Sequence, residues 1–368
     1  MYVESISYFI IILGIALVLI AVLIAFIFHI APEVLKLLRL KRHSNNPVLS
    51  PPKYSDWEAV GTFNPAAVAD NNGNIHIVYR AIGADGMSRF GYAVSKDGKK
   101  FDDKSPYPIF VMQSPRKPGE QDCLPKFDSI MYPSGGSWGG CEDPRMVRLD
   151  GKIYLTFNAF DGWDYIRVAL TSIDEKDFFD KKWKWSRPLL ISPPREIHKN
   201  WVLFPQKFNN KYAILHSISP EIQIDFVNNL EDLSYGNRVI KSRFGQKNPR
   251  KTWDSWLRGV GPPPIKTERG WLILYHAIQK EDGGRYKLGA MLLDSDNPAK
   301  VTHQGAGPIL EPNEWYENDW KPGVIYACGA VVKDGRLFVY YGGGDKHVCV
   351  AETPLNELLD SLIPNTPA

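Results

Sequence analysis

Glu142, Asp143 and Arg145 stand together in the segment GGCEDPRMVRL, Gly139 to Leu149. Two glycines before them and Pro144 among them mark a backbone corner, and the apolar residues that follow read as a strand. A carboxylate at such a corner faces outward at a strand end, where it can give or take a proton. The same residues also suit an Asp that caps the turn while Arg145 pairs with a neighbouring acid, and the local pattern leaves both open. Further polar groups lie inside apolar stretches: Asn64 in FNPAAV, Lys207 in VLFPQK, Asp254 and Arg258 in WDSWLRGVGPPP, Tyr286 in YKLGAMLLD, and Asp345, Lys346 and His347 in GGGDKHV. There is no HExxH, Walker, GxSxG or Rossmann pattern, so metal, nucleotide and acyl-transfer chemistry have no visible seat.

The elements that must bring these residues together are repeated. A turn dipeptide followed by an alternating aromatic and β-branched strand occurs five times, around Gly73, Gly151, Asn210, Gly270 and Gly335, at spacings of 78, 59, 60 and 65 residues. Each turn carries a residue type that tolerates positive φ, as a tight hairpin requires, and each follows an apolar stretch that reads as the partner strand. Hairpins at this spacing, with room for one more hairpin in each interval, predict four-stranded blades and an all-β fold, a five-bladed β-propeller. Propellers turn equivalent strand ends toward one axis. Six or seven residues after the turns stand Arg80, Asn158, His216 with Ser217, His276 and Tyr341, polar groups where a structural strand favours apolar ones. The three glycines 342–344, with no GK[ST] after them, predict close backbone approach to the axis rather than a phosphate loop.

Composition supports this reading: 11 Trp, 17 Tyr and 17 Phe beside 30 Gly and 28 Pro describe a turn-rich β protein, and a net charge of +3 gives no basic field for nucleic acid. The four cysteines form no C-x-x-C pair and predict reduced thiols. From Ser5 to Pro32 there are 28 residues without Asp, Glu, Lys or Arg, which predicts a single transmembrane helix within residues 1–32. Lys36, Arg39, Lys41 and Arg42 then predict a basic juxtamembrane segment and linker over 33–52, with the propeller of 53–368 on the cytoplasmic side of the membrane. The lipid bilayer is thus an expected partner, and the oligomeric state stays open.

From about Asn64 to Ala351 the chain resembles glycoside hydrolase family 130, the β-mannoside phosphorylases and related mannosidases. The likeness rests on FNPAAV, VYRA, CEDPRM, VLFPQK, VGPPPIKT, YHA, PGVIYACGAVVKDG and YYGGGDKHVCVA. It implies a five-bladed propeller and an inverting reaction in which inorganic phosphate, a co-substrate with no other cofactor, attacks the anomeric carbon of a β-mannoside and releases α-mannose 1-phosphate. It implies that Asp143 is the general acid, its proton passing through a sugar hydroxyl. Arg80, His276 and Tyr286 match phosphate-site or adjoining positions, Arg258 stands where the family has a Lys, and Lys207 is a further pocket cation. Asn64 and Asp345 match residues that hold the hydroxyls of the transferred sugar. No metal ligand is implied. An anionic nucleophile removes the need for the second carboxylate of an inverting hydrolase and requires a cationic cradle instead.

The chain departs from the family pattern at His216-Ser217-Ile218, where many members have His-Arg-Pro, at Arg258, and in an insertion over Ser105 to Trp138. Two other functions fit the residues. A hydrolase would use Glu142, Asp254 or Glu314 to activate water. A silent glycan-binding propeller would use Trp163, Trp253, Trp256 and Trp315 as stacking platforms, with Trp315 and Tyr316 the preferred subsite wall.

Overall fold

Every one of the five turn dipeptides reverses the chain. Positive φ occurs at Gly73, Asp150 and Gly151, Asn209 and Asn210, Gly270, and Asp334 and Gly335. The structure, a computed structural model, describes residues 38–112, 137, 139–160, 166–234, 238–243 and 252–364, with Gly14, Ala16 and Val18 to Ile20. In chain order β1 (Lys41–Arg42) comes first. Blade 1 is β2 (Gly61–Ala69), β3 (Ile75–Ile82), β4 (Met87–Ser95) and β5 (Asp103–Lys104). Blade 2 is β6 (Gly139–Leu149), β7 (Lys152–Phe160), β8 (Ile166–Asp174) and β9 (Leu189–Leu190). Blade 3 is β10 (Val202–Leu203), β11 (Tyr212–Ser217) and β12 (Gln223–Val227). Blade 4 is β13 (Trp256–Val260), β14 (Ile265–Thr267), β15 (Gly270–Ile278), β16 (Lys287–Leu293) and β17 (Val301–Gly305). Blade 5 is β18 (Ile325–Lys333), β19 (Arg336–Gly343) and β20 (His347–Pro354), and after a short helix, Leu355–Ser361, β21 (Leu362–Pro364) pairs back onto β17. The five-bladed β-propeller read from the repeats is the fold.

Within blades the strands pair antiparallel. Blades 1 and 2 are also joined edge to edge by a two-residue parallel contact, Met87 with Gly139 and Ser88 with Gly140. The apolar faces pack blade against blade: Phe90 on Phe157 between blades 1 and 2, Ile77 with Tyr340 between 1 and 5, Leu170 with Leu203 and Ile214 between 2 and 3, and Phe204 on Trp271 between 3 and 4. The core is therefore a series of inter-blade layers, and the first strand of each blade is left at the centre.

Residues 39–52 correct the expected linker. Lys41 and Arg42 form β1, which adds antiparallel to the outer edge of β20 and gives blade 5 its fourth strand. Arg39 pairs with Glu311, and Arg42 pairs with the fully buried Glu317 at 2.8 Å. The compact body accordingly begins at Arg39, not at residue 53. Arg39 and Arg42, counted from sequence as a juxtamembrane charge signal, are neutralised within the fold. The expected transmembrane segment lies, apart from five helical residues, outside the described residues; among the described residues no helix is long and apolar enough to cross a membrane. Cys141, Cys328 and Cys349 are buried free thiols.

Gly140 sits at the join of blades 1 and 2 with φ +99°, and a Cβ there would come 2.1 Å from the Ser88 carbonyl oxygen. Gly151 has φ +71° and open space around it. Gly151→Ala is expected to cost about 1 kcal/mol, the conformational term alone. Gly140→Ala adds a backbone collision and is expected to cost about 3 kcal/mol or more, read as the difference in urea midpoint between the two variants.

Candidate active site

At the centre the first strands do not run straight. Ladder register slips between Phe63 and Ala66 in β2, between Glu142 and Arg145 in β6, and between Leu257 and Gly259 in β13. The residues expelled from pairing include Asn64, Asp143 and Arg258. A bulge leaves its extra residue unpaired and re-aims the side chain, and here all three turn into one cavity of about 700 Å3. Asn64, Asp143 and, just before β10, Asn200 hold positive φ of 49°, 52° and 63°. Asn and Asp are the non-glycine residues that best tolerate this region. The motifs FNPAAV and CEDPRM are therefore one structural device in successive blades.

Asp143 is 5% exposed and pinned on both oxygens. Asn64 Nδ2 donates to Oδ1 at 2.8 Å, Arg80 Nη1 to the same oxygen at 3.3 Å, and Asn158 Nδ2 to Oδ2 at 3.2 Å. Arg80 is itself buried and also donates to Glu142 and Ser137, each at 2.8 Å, and to Ser88 at 2.9 Å. Burial pushes the Asp143 carboxyl up, but the charges of Arg80, Arg145 and Lys199 and the Asn64 hydrogen bond outweigh it and hold the group below its ordinary 3.8. Among the described residues Arg145 does not pair with a neighbouring acid through its side chain. It donates to the Asp143 carbonyl at 2.8 Å, to Gly261 O at 2.9 Å and to Asn200 Oδ1 at 2.8 Å, and so braces three blades around the axis.

The structure brings together most of the residues singled out from sequence. Asn64, Arg80, Asp143, Arg258, Tyr286 and Asp345 all line the cavity. Arg258 Nε donates to Tyr286 Oη at 2.9 Å, so these two form one unit on the wall. Asp345 is paired with Lys321 at 3.3 Å.

Two expected phosphate ligands are corrected. Lys207 does not reach the cavity. It pairs with Asp150 at 2.6 Å and lies over the Tyr212 ring, because Asp150 is in the β6–β7 turn, at the opposite end of β6 from Asp143. His276 is fully buried behind the wall, with the Tyr326 ring stacked flat on it at 4.2 Å. Its Nε2 accepts the Ala327 N–H at 2.9 Å, and burial followed by the Arg145 charge lowers its pKa to about 3. A neutral imidazole beneath Tyr326 shapes the cavity wall without touching its contents.

The stacking wall expected at Trp315 and Tyr316 is also corrected: Tyr316 is buried, Trp315 packs on His347, and neither borders the cavity. Trp256 does line it, Trp253 stacks on Tyr275 within blade 4, and Trp163 lies outside the described residues. Most of the Ser105 to Trp138 insertion is likewise outside them, but Ser137 is buried between Arg80 and Glu142. Of the candidate bases for water, Glu142 is committed to Arg80, Asp254 accepts from Thr252, Tyr275 and Gln304, and Glu314 caps a turn of 3-10 helix. None of the three lines the cavity.

Sequence reasoning missed Lys199, Asn200, Lys321 and Tyr326, which all line it. Asn200 had a readable signal: it precedes WVLF as Asn64 precedes PAAV and Asp143 precedes PRMV. Lys321 and Tyr326 had none, since only closure of the ring carries blade 5 beside blade 1.

The buried His276 makes stability acid-sensitive. Its folded pKa of about 3 lies below the ordinary 6.5, so between these values the unfolded chain binds a proton that the folded chain does not. Stability is expected to fall as pH falls through that window, by up to about 1.4 kcal/mol per pH unit from this residue. His276→Gln, which keeps an acceptor for Ala327, is expected to flatten that slope in urea unfolding at pH 5 and 7.

The sequence profile of a family described as beta-1,4-mannooligosaccharide phosphorylase matches residues 39–363. The chain is 36% identical over 332 residues to a 1,2-beta-oligomannan phosphorylase of Thermoanaerobacter sp. (strain X514), spanning 88% of this chain and 99% of that protein. It is 33% identical over 329 residues to a beta-1,2-mannobiose phosphorylase of the same organism, spanning 86% and 97%. A solved beta-1,2-mannobiose phosphorylase from Listeria innocua, in complex with beta-1,2-mannobiose, superposes with a TM-score of 0.66 at 24% identity over 88% of this chain and 99% of that one, a likeness of fold. A bulge-lined cavity at the axis of five blades and a match that begins at the first paired strand and ends within the last lead to one statement: the chain belongs to glycoside hydrolase family 130, the β-mannoside phosphorylase family.

Proposed function

We propose that the protein is an inverting phosphorylase of β-mannosides, β-1,2-linked ones first, that releases α-mannose 1-phosphate. One observation carries the choice of phosphate over water. Among the described residues only two carboxylates line the cavity, Asp143 and Asp345, and Asp345 is ion-paired with Lys321. An inverting hydrolase needs a second carboxylate placed to activate water. The cavity instead carries four cations, Arg80, Lys199, Arg258 and Lys321. Arg258 has no carboxylate partner among the described residues, and with Tyr286 and Lys199 it suits a phosphate oxyanion. The β-1,2 linkage follows the names of the two Thermoanaerobacter relatives.

In the proposed step a phosphate oxygen bonds to the anomeric carbon as the bond from that carbon to the leaving oxygen breaks. The Asp143 carboxyl supplies the proton that the leaving oxygen takes, relayed through a hydroxyl of the transferred sugar, with Asn64 and Asp345 holding hydroxyls of that ring. Without ligand Asp143 is a carboxylate, held so by the surrounding cations. Phosphate bound near Lys199 offsets one of those cations and raises the Asp143 pKa, so the acid forms as the complex assembles. The anchor and its cytoplasmic orientation are proposals too. The anchor rests on the run Ser5 to Pro32, which has no Asp, Glu, Lys or Arg and in which Val18, Leu19 and Ile20 are helical and more than half exposed, and the orientation rests on Lys36 and Lys41, since Arg39 and Arg42 are paired within the fold. A C-terminal reporter active only on the far side of the membrane reverses the orientation.

Turnover of β-1,2- and β-1,4-mannobiose by the full chain, with and without inorganic phosphate, is expected to give mannose 1-phosphate only with phosphate. Equal release of free mannose without phosphate overturns the proposal. Asp143→Asn is expected to lower kcat by about 10²–10⁴-fold with the fold retained by circular dichroism. The alkaline limb of kcat is expected at higher pH than that of kcat/KM, because kcat reports the assembled complex and kcat/KM the free enzyme. Coincident limbs contradict the pKa shift on binding.

A further inference from the structure

We infer that the ion pair between Arg42 of β1 and Glu317 is a positioning device for the cavity, so that the first strand of the domain sets the geometry of the site from outside it. The inference rests on the proposed phosphorylase reading only in taking the cavity as the active site. Glu317 is completely buried, yet every lone-pair direction of its carboxylate is used. Arg42 Nε donates to Oε1 at 2.8 Å and Nη2 to Oε2 at 2.9 Å, a bidentate pair. Tyr341 Oη donates to Oε1 at 2.8 Å, and the backbone N–H groups of Asn313 and Glu314 donate to Oε2 at 2.7 and 2.9 Å. Arg42 also donates to the Glu311 carbonyl. A charge so buried holds its surroundings rigidly only while its counter-ion stays.

What it holds is the segment 313–324, which borders the cavity. The Glu317 carbonyl accepts the Val324 N–H at 3.2 Å, and Val324 O accepts from Gly344 at 3.0 Å. Lys321 N–H donates to Gly344 O at 2.9 Å, and its ammonium reaches Asp345 at 3.3 Å. Asp319 pairs with Lys346 at 2.8 Å and with His347 at 3.0 Å, fixing the same β19–β20 turn from the other side. On the opposite flank Gly323 O accepts the Tyr286 N–H at 2.8 Å, and Tyr286 carries Arg258. One buried carboxylate thus underlies both Asp345 and the Arg258–Tyr286 unit, and the charge that neutralises it comes from β1, the first strand among the described residues. Arg42 touches none of the cavity's contents, so it is a positioning residue.

Full-length Arg42→Met, Arg42→Lys and Glu317→Gln are compared with the parent by hydrogen exchange and by kinetics on β-1,2-mannobiose and phosphate. In Arg42→Met the peptides over 313–324 and 343–347 are expected to exchange at least tenfold faster, with β8 and β12 unchanged, and kcat/KM to fall about 10–100-fold, mostly through KM. Arg42→Lys is expected to recover part of both effects and covers the case in which Arg42→Met does not fold. Unchanged exchange at the two peptides overturns the inference, as does faster exchange throughout, the mark of a merely structural role. Localised exchange with unaltered KM and kcat overturns it as well. If the parent turns over no mannoside, the phosphorylase reading fails by itself, and the exchange pattern still decides the clamp.

Discussion

Arg80 and Asp143 meet 3.3 Å apart in a place from which water is nearly excluded, and the geometry of the site depends on that contact. Removing one partner of such a pair leaves an uncompensated buried charge, typically about 3–5 kcal/mol of destabilisation. The molecule therefore surrounds both groups: Glu142, Ser137 and Ser88 take three further donors of Arg80, while Asn64 and Asn158 donate to the carboxylate of Asp143. The donors come from blades 1 and 2, joined at Gly139 and Gly140 immediately before the pair. The edge contact between blades and the charge contact at the axis support each other.

A propeller suits this arrangement because its stability and its site occupy different places. Apolar layers between blades hold the ring, so the inner strand ends can be polar without opening a hole in the core. Bulges supply the polar side chains at the axis, and Pro65 and Pro144, which lack an N–H, follow Asn64 and Asp143 where the ladder is already broken. Arg145 then links the Asp143 carbonyl to Asn200 and Gly261, so that blades 2, 3 and 4 share one guanidinium.

Closure of the ring brings in the two ends of the described chain. β1 completes blade 5 and β21 extends blade 4, so each terminal strand is paired with a blade remote from it in sequence or one blade back. Arg42 and Arg39 read as membrane-proximal charge when the sequence is taken in order, and the fold uses them instead against Glu317 and Glu311. Charge counts along a chain do not distinguish a residue that faces lipid headgroups from one that meets a buried carboxylate 275 positions away.

Asn64, Arg258, Tyr286 and Asp345 take their site roles only from the family resemblance, whereas the five hairpins from turn residues that accept positive φ, the blade count from their spacing, Arg80 from its strand-end position and Asp143 from its corner between glycines and a proline are legible by themselves. These are local properties, set by backbone sterics and the two-residue period of a strand. His276 shares the strand-end position of Arg80 and Lys207 rests on the resemblance, and neither reaches the cavity in three dimensions, because a strand position or a motif specifies a side of the sheet but not what lies over it. Tyr326 covers His276, and Asp150 holds Lys207 at the far end of β6. Lys321 and Lys199 had no repeat position to reveal them, and β1 is too short to carry a strand signal. Their places follow from which blades meet at the axis and how the ring closes, a matter of long-range pairing that no local pattern encodes.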